Sequence, residues 1–493
     1  MYILSIDQST SGTKAIIFDE KGTLIHRVTE YHKQYYPKPG WVEHDAEEIL
    51  QRTSNAIRRV LEESGISEEE IHAVAITNQR ETTVLWDRSG KPVYRAIVWQ
   101  CQRGKSICDD IKKRGMEGFI KEKTGLLVDP YFSASKIKWI LDNVEGVRNK
   151  AEKGDILFGT IDTWLVWNLT KGSVHATDYS NASRTMLLNI RNLKWDEEIL
   201  DIFSIPPSIL PELKPSNYIF GYTDLNGILK KEVPIAAVMG DSSAALFGHG
   251  CFRKGDIKAT YGTGTSIMMN TGNELIISSD KIVTSVGWGI DEKVTYVLEG
   301  NIHCTGDIIK WLIENLQIIK DPKEAEILAS SINDNEGVYF VPAFVGLGAP
   351  YWDNEARALI TGMSRGSGKA HVVRAALESI AYQVKDLFDV IAKEIDIEPD
   401  GIRVDGGATE NRFLMQFQAD ILGIPVFVSE IEEISARGVA LLASWKMGFL
   451  EGLNDIENLI RFRKIYKPSM PENLKNEYYS GWKRAVQRAL MRF

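Results

Sequence analysis

Ser5-Ile6-Asp7-Gln8-Ser9-Thr10-Ser11-Gly12-Thr13-Lys14 brings one carboxylate, Asp7, from an apolar run to the lip of a turn of small hydroxylic residues. Such a turn presents backbone N–H groups and hydroxyls with little bulk, which is the chemistry of an anion cradle and above all of a phosphate cradle. Thr10, Ser11 and Gly12 line it, and Lys14 adds a point positive charge. A carboxylate beside phosphate makes sense when a divalent cation sits between them, because Mg²⁺ favours one or two carboxylates together with phosphate oxygens. Asp7 is the candidate metal ligand. A second turn of the same make, Tyr261-Gly262-Thr263-Gly264-Thr265-Ser266, stands in the other half of the chain. Val404-Asp405-Gly406-Gly407-Ala408 then reads as a strand ending in a Gly pair, with Asn411 ahead of an apolar helix. Close backbone approach and a helix start suit the nucleoside end of a nucleotide.

Asp241 ends another apolar strand, Val-Pro-Ile-Ala-Ala-Val-Met-Gly at 233–240. Two readings compete: a general base that takes the proton of an attacking hydroxyl, and an N-cap for a helix over 242–247. Arg80 and Glu81 supply adjacent donors and acceptors for substrate hydroxyls, against the plainer reading of a surface ion pair. Trp99 and Tyr131 offer ring faces and a hydroxyl partner, against ordinary core packing. Gly366-Ser367-Gly368-Lys369 is not a P-loop, because Ala370 follows the Lys and Met363 stands where the first Gly belongs. No G-x-G-x-x-G opens a βαβ unit.

The elements that must hold these residues are short strands alternating with helical patterns, which predicts an α/β protein. Strands are expected at 2–6, 14–18 and 23–32, with a helix over Ala46–Ser64 whose apolar face carries Ile49, Leu50, Ala56, Ile57, Val60 and Leu61. Strands at 72–77 and 82–86 follow. The strand–turn–strand opening appears again as 256–261, the Gly-Thr-Gly turn and 267–270, which suggests a duplicated domain. The boundary is placed near Gly248–Lys254, giving domains 1–250 and 251–493 with a cleft between them. A chain of 493 residues is long enough for two large domains or three smaller ones.

The formal net charge of −9 argues against a nucleic-acid surface. Four cysteines, with C-x6-C as the closest pair, do not form a zinc knuckle and are expected to be buried reduced thiols. No apolar run approaches the ~20 residues of a membrane span. The start of the chain lacks the apolar region of a signal peptide. A cytoplasmic location is expected, with neither nucleic-acid nor membrane partners.

The stretches PKPGWVEHD (37–45), ITNQRETTVLWDRSGKPVYRAIVWQCQR (76–103), DPYFSASKIKWILDNVEG (129–146) and ALITGMSRGSGKAHVVRAALE (358–378) resemble the FGGY family of carbohydrate kinases, within it most closely the glycerol kinases. The resemblance runs almost end to end. It implies an actin-like, ribonuclease-H-like fold of two domains, with ATP across the cleft, a polyol deeper in the first domain, and Mg²⁺ required. Phosphoryl transfer to a substrate hydroxyl would use Asp241 as base, with Asp7 and Asp241 at the metal. Arg80, Glu81, Trp99, Tyr131, Asp241, Ser242 and Ser266 would meet the polyol. Thr10, Ser11, Gly12, Lys14, Thr263, Gly306, Lys310, Gly407 and Asn411 would meet the nucleotide. A homo-oligomer, dimer or tetramer, is implied as well.

The chain departs from the glycerol-kinase pattern in several places. Ser242 and Ser243 replace two Gln after Asp241, Ser266 replaces an aromatic wall, Lys14 replaces Arg, Ser9 replaces Gly and Lys310 replaces Gln. A roomier pocket keeps a four- or five-carbon polyol or ketose open as an alternative to glycerol, since one lost contact is worth about 1–3 kcal/mol. The segment 224–233, DLNGILKKEV, lacks the Gly-Gly-Arg loop through which some bacterial relatives bind a sugar bisphosphate. Fructose 1,6-bisphosphate is therefore expected to leave the rate unchanged, and inhibition at millimolar concentrations in a steady-state assay would overturn this.

Overall fold

The computed structural model describes residues 1–278, 282–353 and 355–492. The first half is built on β1 (Tyr2–Gln8), β2 (Gly12–Asp19), β3 (Leu24–Tyr31), α1 (Ala46–Ser64), β4 (Ile71–Asn78), α2 (Ser133–Asn143), β5 (Tyr222–Thr223), β6 (Val233–Gly240) and α3 (Asp241–Gly248). The second uses β7 (Ile257–Tyr261), β8 (Thr265–Gly272), β9 (Val283–Ile290), β10 (Lys293–Ile302), α4 (Gly306–Glu314), α5 (Lys369–Ile395), β11 (Ile402–Asp405), α6 (Arg412–Leu422), β12 (Val426–Ser429), α7 (Ile434–Lys446) and β13 (Phe462–Tyr466).

Two sheets share one design. The first runs β5-β6-β4-β1-β2-β3 and the second β9-β10-β8-β7-β11-β12-β13. In each, three antiparallel strands continue into two parallel ones: β3-β2-β1 into β4 and β6, and β10-β8-β7 into β11 and β12. The two hairpins read from the sequence therefore occupy equivalent places in duplicated sheets. Parallel strands need cover on both faces, and β4 and β6 accordingly read as near-continuous apolar runs that are buried almost throughout.

Helix α1 shows how local sequence sets an element. Asp45 caps it by accepting from the N–H of Glu47 and Glu48, and Gly65 ends it in the left-handed region. Its buried face is Ala46, Ile49, Thr53, Ala56, Ile57, Val60 and Leu61, the expected stripe with Leu50 at its edge.

Packing continues across residue 250. Helix α7, far along the second half, lies on β1, β4 and β6 of the first sheet, and the Ser5 hydroxyl donates to its Ala436 carbonyl at 3.0 Å. It crosses α3 closely enough that a Cβ on Gly438 would stand 2.0 Å from the Ala244 carbonyl oxygen. Ile3, Ala73, Ala237 and Met239 from the first half share one buried cluster with Val439, Ala440 and Leu442 from the second. The halves are joined by a common core at this crossing. All four cysteines are free and buried, as expected.

Behind the first turn, His44 and His32 meet edge to face with ring centroids 4.5 Å apart, and both are buried. Burial drives the His44 pKa down to about 3, helped by His32, and lowers that of His32 as well. Both rings are neutral in the fold, while unfolded histidine binds a proton below about pH 6.5. The unfolded state then binds more protons, so stability is full above pH 6.5 and is lost as pH falls toward 3. Asp7 and Asp162, raised to about 7 and about 6, act with the opposite sign. His44→Gln should therefore show a smaller fall in Tm between pH 7 and pH 5 than the parent protein. An equal fall would reject the assignment.

Candidate active site

Asp7 sits near the end of β1, in register with Lys14 on β2 and Thr77 on β4. Burial pushes its carboxyl up to about 7; Lys14 opposes this, while Glu433 and Asp241 add to it. Three carboxylates thus face one ammonium. Lys14 is less available than the sequence suggested, because its Nζ donates to Glu433 Oε2 at 2.6 Å, and Glu433 also takes Arg27 at 2.8 Å. The Lys14 charge expected beside the turn is shared with Asp7 and Glu433.

The turn is closed by the Ser9 N–H and hydroxyl, both donating to the Gly12 carbonyl at 2.8 and 3.0 Å. That leaves Thr10 and Ser11 at the tip, half-buried and exposed respectively. Trp99 is expected at the polyol. Its indole N–H donates to Thr10 Oγ1 at 2.9 Å, while its ring meets Tyr131 edge to face at 5.4 Å. Trp99 therefore ties the Ser9–Gly12 turn to Tyr131.

Arg80 and Glu81 are buried and do not form the surface pair of the plainer reading. Arg80 grips Glu299 on β10 through both terminal nitrogens, at 2.6 and 2.8 Å. It also reaches Ser242 Oγ at 3.1 Å, and its Nε stands 3.3 Å from Asp241 Oδ1. Glu81, with φ +63°, accepts from Arg184 Nε at 2.6 Å. Arg184 Nη1 lies 3.2 Å from Glu299. Arg184 and Arg80 hold the Glu299 carboxyl far below the usual carboxylate range despite its burial. Glu81, Arg184, Glu299, Arg80 and Asp241 form one chain of charges running from the first half into the second and back.

Asp241 is the first residue of α3, and the cap position belongs to Gly240, so the N-cap reading fails. Its side chain is 40% exposed in a neighbourhood of buried groups. Oδ1 takes the Ser242 N–H at 2.6 Å, the Ser242 hydroxyl at 3.3 Å and the Arg80 contact. Among the described residues no hydrogen bond engages Oδ2. One carboxylate oxygen is anchored and the other is available.

In the second half the Gly262–Gly264 turn closes on itself and lies against the start of α4. Gly306 N–H donates to Gly262 O at 3.0 Å, and a Cβ there would stand 2.8 Å from that oxygen. Thr263 is exposed beside it. Gly406, at φ +96°, packs so tightly on Tyr261 that a Cβ would meet its carbonyl oxygen at 2.2 Å. Gly407 next to it faces open space, leaving room for a ligand. Asn411 is the N-cap of α6, its Oδ1 accepting from Leu414 N–H at 2.9 Å. Asn411→Ala should cost about 1 kcal/mol in denaturant unfolding whatever it does to nucleotide binding. Lys310 is 65% exposed, with Glu314 at 3.9 Å as its ion-pair partner.

Sequence reasoning passed over Arg184, Glu299 and Lys258. The signal was present for the last two, each a lone charge inside an apolar strand. Cavities of 310 and 390 Å³ elsewhere, lined by Thr170, Lys171 and Asp224 and by Asp142 and Arg148, offer ion pairs but no such cluster.

Two family models cover this architecture: the FGGY carbohydrate kinase N-terminal domain matches residues 2–248 and the C-terminal domain 257–447. The chain belongs to the FGGY family of carbohydrate kinases. Like others in this family, it is a phosphotransferase with an alcohol group as acceptor. It is 65% identical to glycerol kinase 1 of Thermotoga maritima, over 99% of this chain and 100% of the relative. It is 53% identical to glycerol kinase 2 of the same organism, over 99% of each. Among solved structures, Plasmodium falciparum glycerol kinase with ADP superposes with a TM-score of 0.94 at 37% identity, covering 100% of this chain and 99% of that one. Xylulose kinase from Lactobacillus acidophilus, at 22% identity and a TM-score of 0.89 over 99% and 97% of the two chains, shares the fold. The two-domain actin-like FGGY fold read from the sequence is thus borne out. No helix among the described residues is long and apolar enough to cross a membrane.

Proposed function

We propose that the protein transfers the γ-phosphoryl group of ATP to glycerol, yielding glycerol 3-phosphate, with Asp241 Oδ2 as the general base. The observation that carries this reading is Asp241 itself, anchored through Oδ1 by Arg80 and Ser242 and half-open to the cleft beside two phosphate-type turns. Phosphoryl transfer needs mainly positioning and charge stabilisation from the protein. Arg80, Glu81 and Tyr131 orient the polyol, and Asp241 accepts the proton of the attacking hydroxyl. Thr10, Ser11 and Gly12 on one side and Thr263, Gly306 and Gly407 on the other take the nucleotide. The high identity to glycerol kinases along the whole chain favours glycerol over a longer acceptor.

Asp7 and Asp241 fit Mg²⁺: Asp7 lies near the end of a strand at the first turn, near enough to Asp241 to feel its charge, and Asp241 Oδ2 has no hydrogen bond among the described residues. Bound there, the ion would neutralise phosphate oxygens. Removing Mg²⁺ with a chelator is expected to abolish turnover, and Asp7→Asn should raise the Mg²⁺ concentration needed for half-maximal rate. A rate indifferent to chelator would reject the metal site. Function in the cytoplasm, as a dimer or tetramer, completes the proposal; light scattering reports the assembly.

The deciding experiment is ATP-to-ADP turnover across glycerol, dihydroxyacetone, erythritol, xylitol, xylulose and ribulose. Glycerol should give the highest kcat/KM. A clear preference for a four- or five-carbon acceptor would mean that Ser242 and Ser266 have redefined the pocket.

A further inference from the structure

Lys258 lies on β7, fully buried, and no step above uses it. Its Nζ donates to Thr260 Oγ1 at 3.1 Å, to Ser266 Oγ at 3.3 Å and to the Ser266 carbonyl at 3.5 Å. Ser266 Oγ in turn stands 3.5 Å from Ser242 Oγ, and Ser242 Oγ stands 3.3 Å from Asp241 Oδ1. The charged groups facing Lys258 are Asp405, Glu299, Arg80 and Asp241. The two serines are among the residues at which this chain departs from the glycerol-kinase pattern, and they turn out to be neighbours.

The direction of this chain of hydrogen bonds is set at its ends. An ammonium and a guanidinium carry donors only, whereas a hydroxyl has one proton to give and lone pairs to receive. Lys258 donates to Ser266, so the Ser266 proton is free to point at Ser242. Arg80 donates to Ser242 as well, at 3.1 Å, so the Ser242 proton points at Asp241 Oδ1. Two cations thereby polarise two hydroxyls toward one carboxylate oxygen. The Ser266–Ser242 link is the slack one, and it joins β8 of the second half to α3 beneath the first sheet. Approach of the two by a few tenths of an ångström makes it a full-strength hydrogen bond.

We propose that Lys258 is a positioning residue for Asp241, acting through the Ser266–Ser242 hydroxyl relay, so that the base is locked in its working orientation when the two halves close on substrate. The relay keeps Oδ1 occupied and leaves Oδ2 to the acceptor hydroxyl. This inference rests on the reading of Asp241 as the base.

The test is steady-state kinetics on Ser242→Ala, Ser266→Ala, their double variant and Lys258→Met, with Asp241→Asn alongside. A relay predicts that each serine variant lowers kcat by about tenfold while KM for glycerol and for ATP stays within about twofold. The double variant should be no worse than the poorer single one, because members of one network are not additive. Ser266→Thr, which keeps the hydroxyl, should restore kcat. Lys258→Met should lower kcat as far as Ser266→Ala does and add nothing to that variant. Full activity in folded Lys258→Met would remove Lys258 from the relay. Should it fail to fold by circular dichroism, Lys258→Gln, which removes the charge and keeps a polar side chain, is read in its place. Unchanged kcat in both serine variants would overturn the relay. So would a rise in KM for glycerol at constant kcat, which would mean direct substrate contact, and so would additive effects. If Asp241→Asn retains near-parental turnover, the base reading itself fails. An inactive Asp241→Asn beside fully active serine variants rejects the relay alone.

Discussion

Asp241→Asn should lower kcat by about 10²-fold or more while leaving the thermal unfolding midpoint where it was or slightly higher. The split follows from position. The carboxylate is 40% exposed at the first residue of α3 and does not cap that helix, and its ion-pair partner Arg80 keeps both oxygens of Glu299, so little folding energy depends on its charge. It also repels Asp7, whose carboxyl it helps to push up to about 7, and an amide removes that repulsion. Asn keeps an oxygen for the Ser242 N–H and the side-chain volume, so the site should stay assembled. What disappears is the oxygen able to accept a proton. The measurement is kcat with saturating ATP and glycerol, paired with differential scanning calorimetry. A variant that lost both activity and stability would make Asp241 structural, and one that kept its activity would move the base elsewhere.

How far the sequence foretold this site depends on where each residue finds its partners. Helix α1 announced both its ends, because Asp45, Gly65 and the apolar stripe are local signals. The duplicated hairpins were visible for the same reason, and their equivalence in the two sheets followed. The packing of α7 on the opposite sheet was not visible. Its small-residue run Gly438-Val439-Ala440 suits any buried helix, and nothing near it names Ala244 as the neighbour that leaves no room for a Cβ. Arg80 and Glu81 could be picked out as chemistry-bearing, yet their ion-pair partners lie about a hundred residues away or more, Arg184 for one and Glu299 for the other. Asn411 shows the converse, since a residue assigned to the ligand spends its oxygen on a helix end. Lys310 differs again: resemblance places it at a position where the chain departs from that pattern, and its side chain is 65% exposed there.

Glu299→Ala should be the most damaging single substitution at the site, costing about 3–5 kcal/mol of stability and raising KM for glycerol. Glu299 is fully buried on β10 and is the counter-ion of two buried guanidiniums, Arg80 through both terminal nitrogens and Arg184 at 3.2 Å. Both arginines come from the first half of the chain, so the substitution unpins a link between the halves as well as leaving charge uncompensated. Removing one partner of a buried pair costs far more than the pair contributes, because the remaining charge has neither water nor counter-ion. Arg184 retains Glu81, but Arg80 retains only the 3.3 Å contact with Asp241 and the Ser242 hydroxyl. Arg80 should then swing toward Asp241 and tighten on the oxygen it already holds, which draws the guanidinium away from the polyol. Glu299→Gln keeps an acceptor and the shape and should lose roughly half as much, since a hydrogen bond to a charged group survives where the ion pair does not. Urea unfolding of the two variants, with glycerol KM measured on each, tests the order. Equal stability of Glu299→Ala and the parent would mean that the arginines find water in the cleft, and the charge chain would lose its place as the anchor of the substrate site.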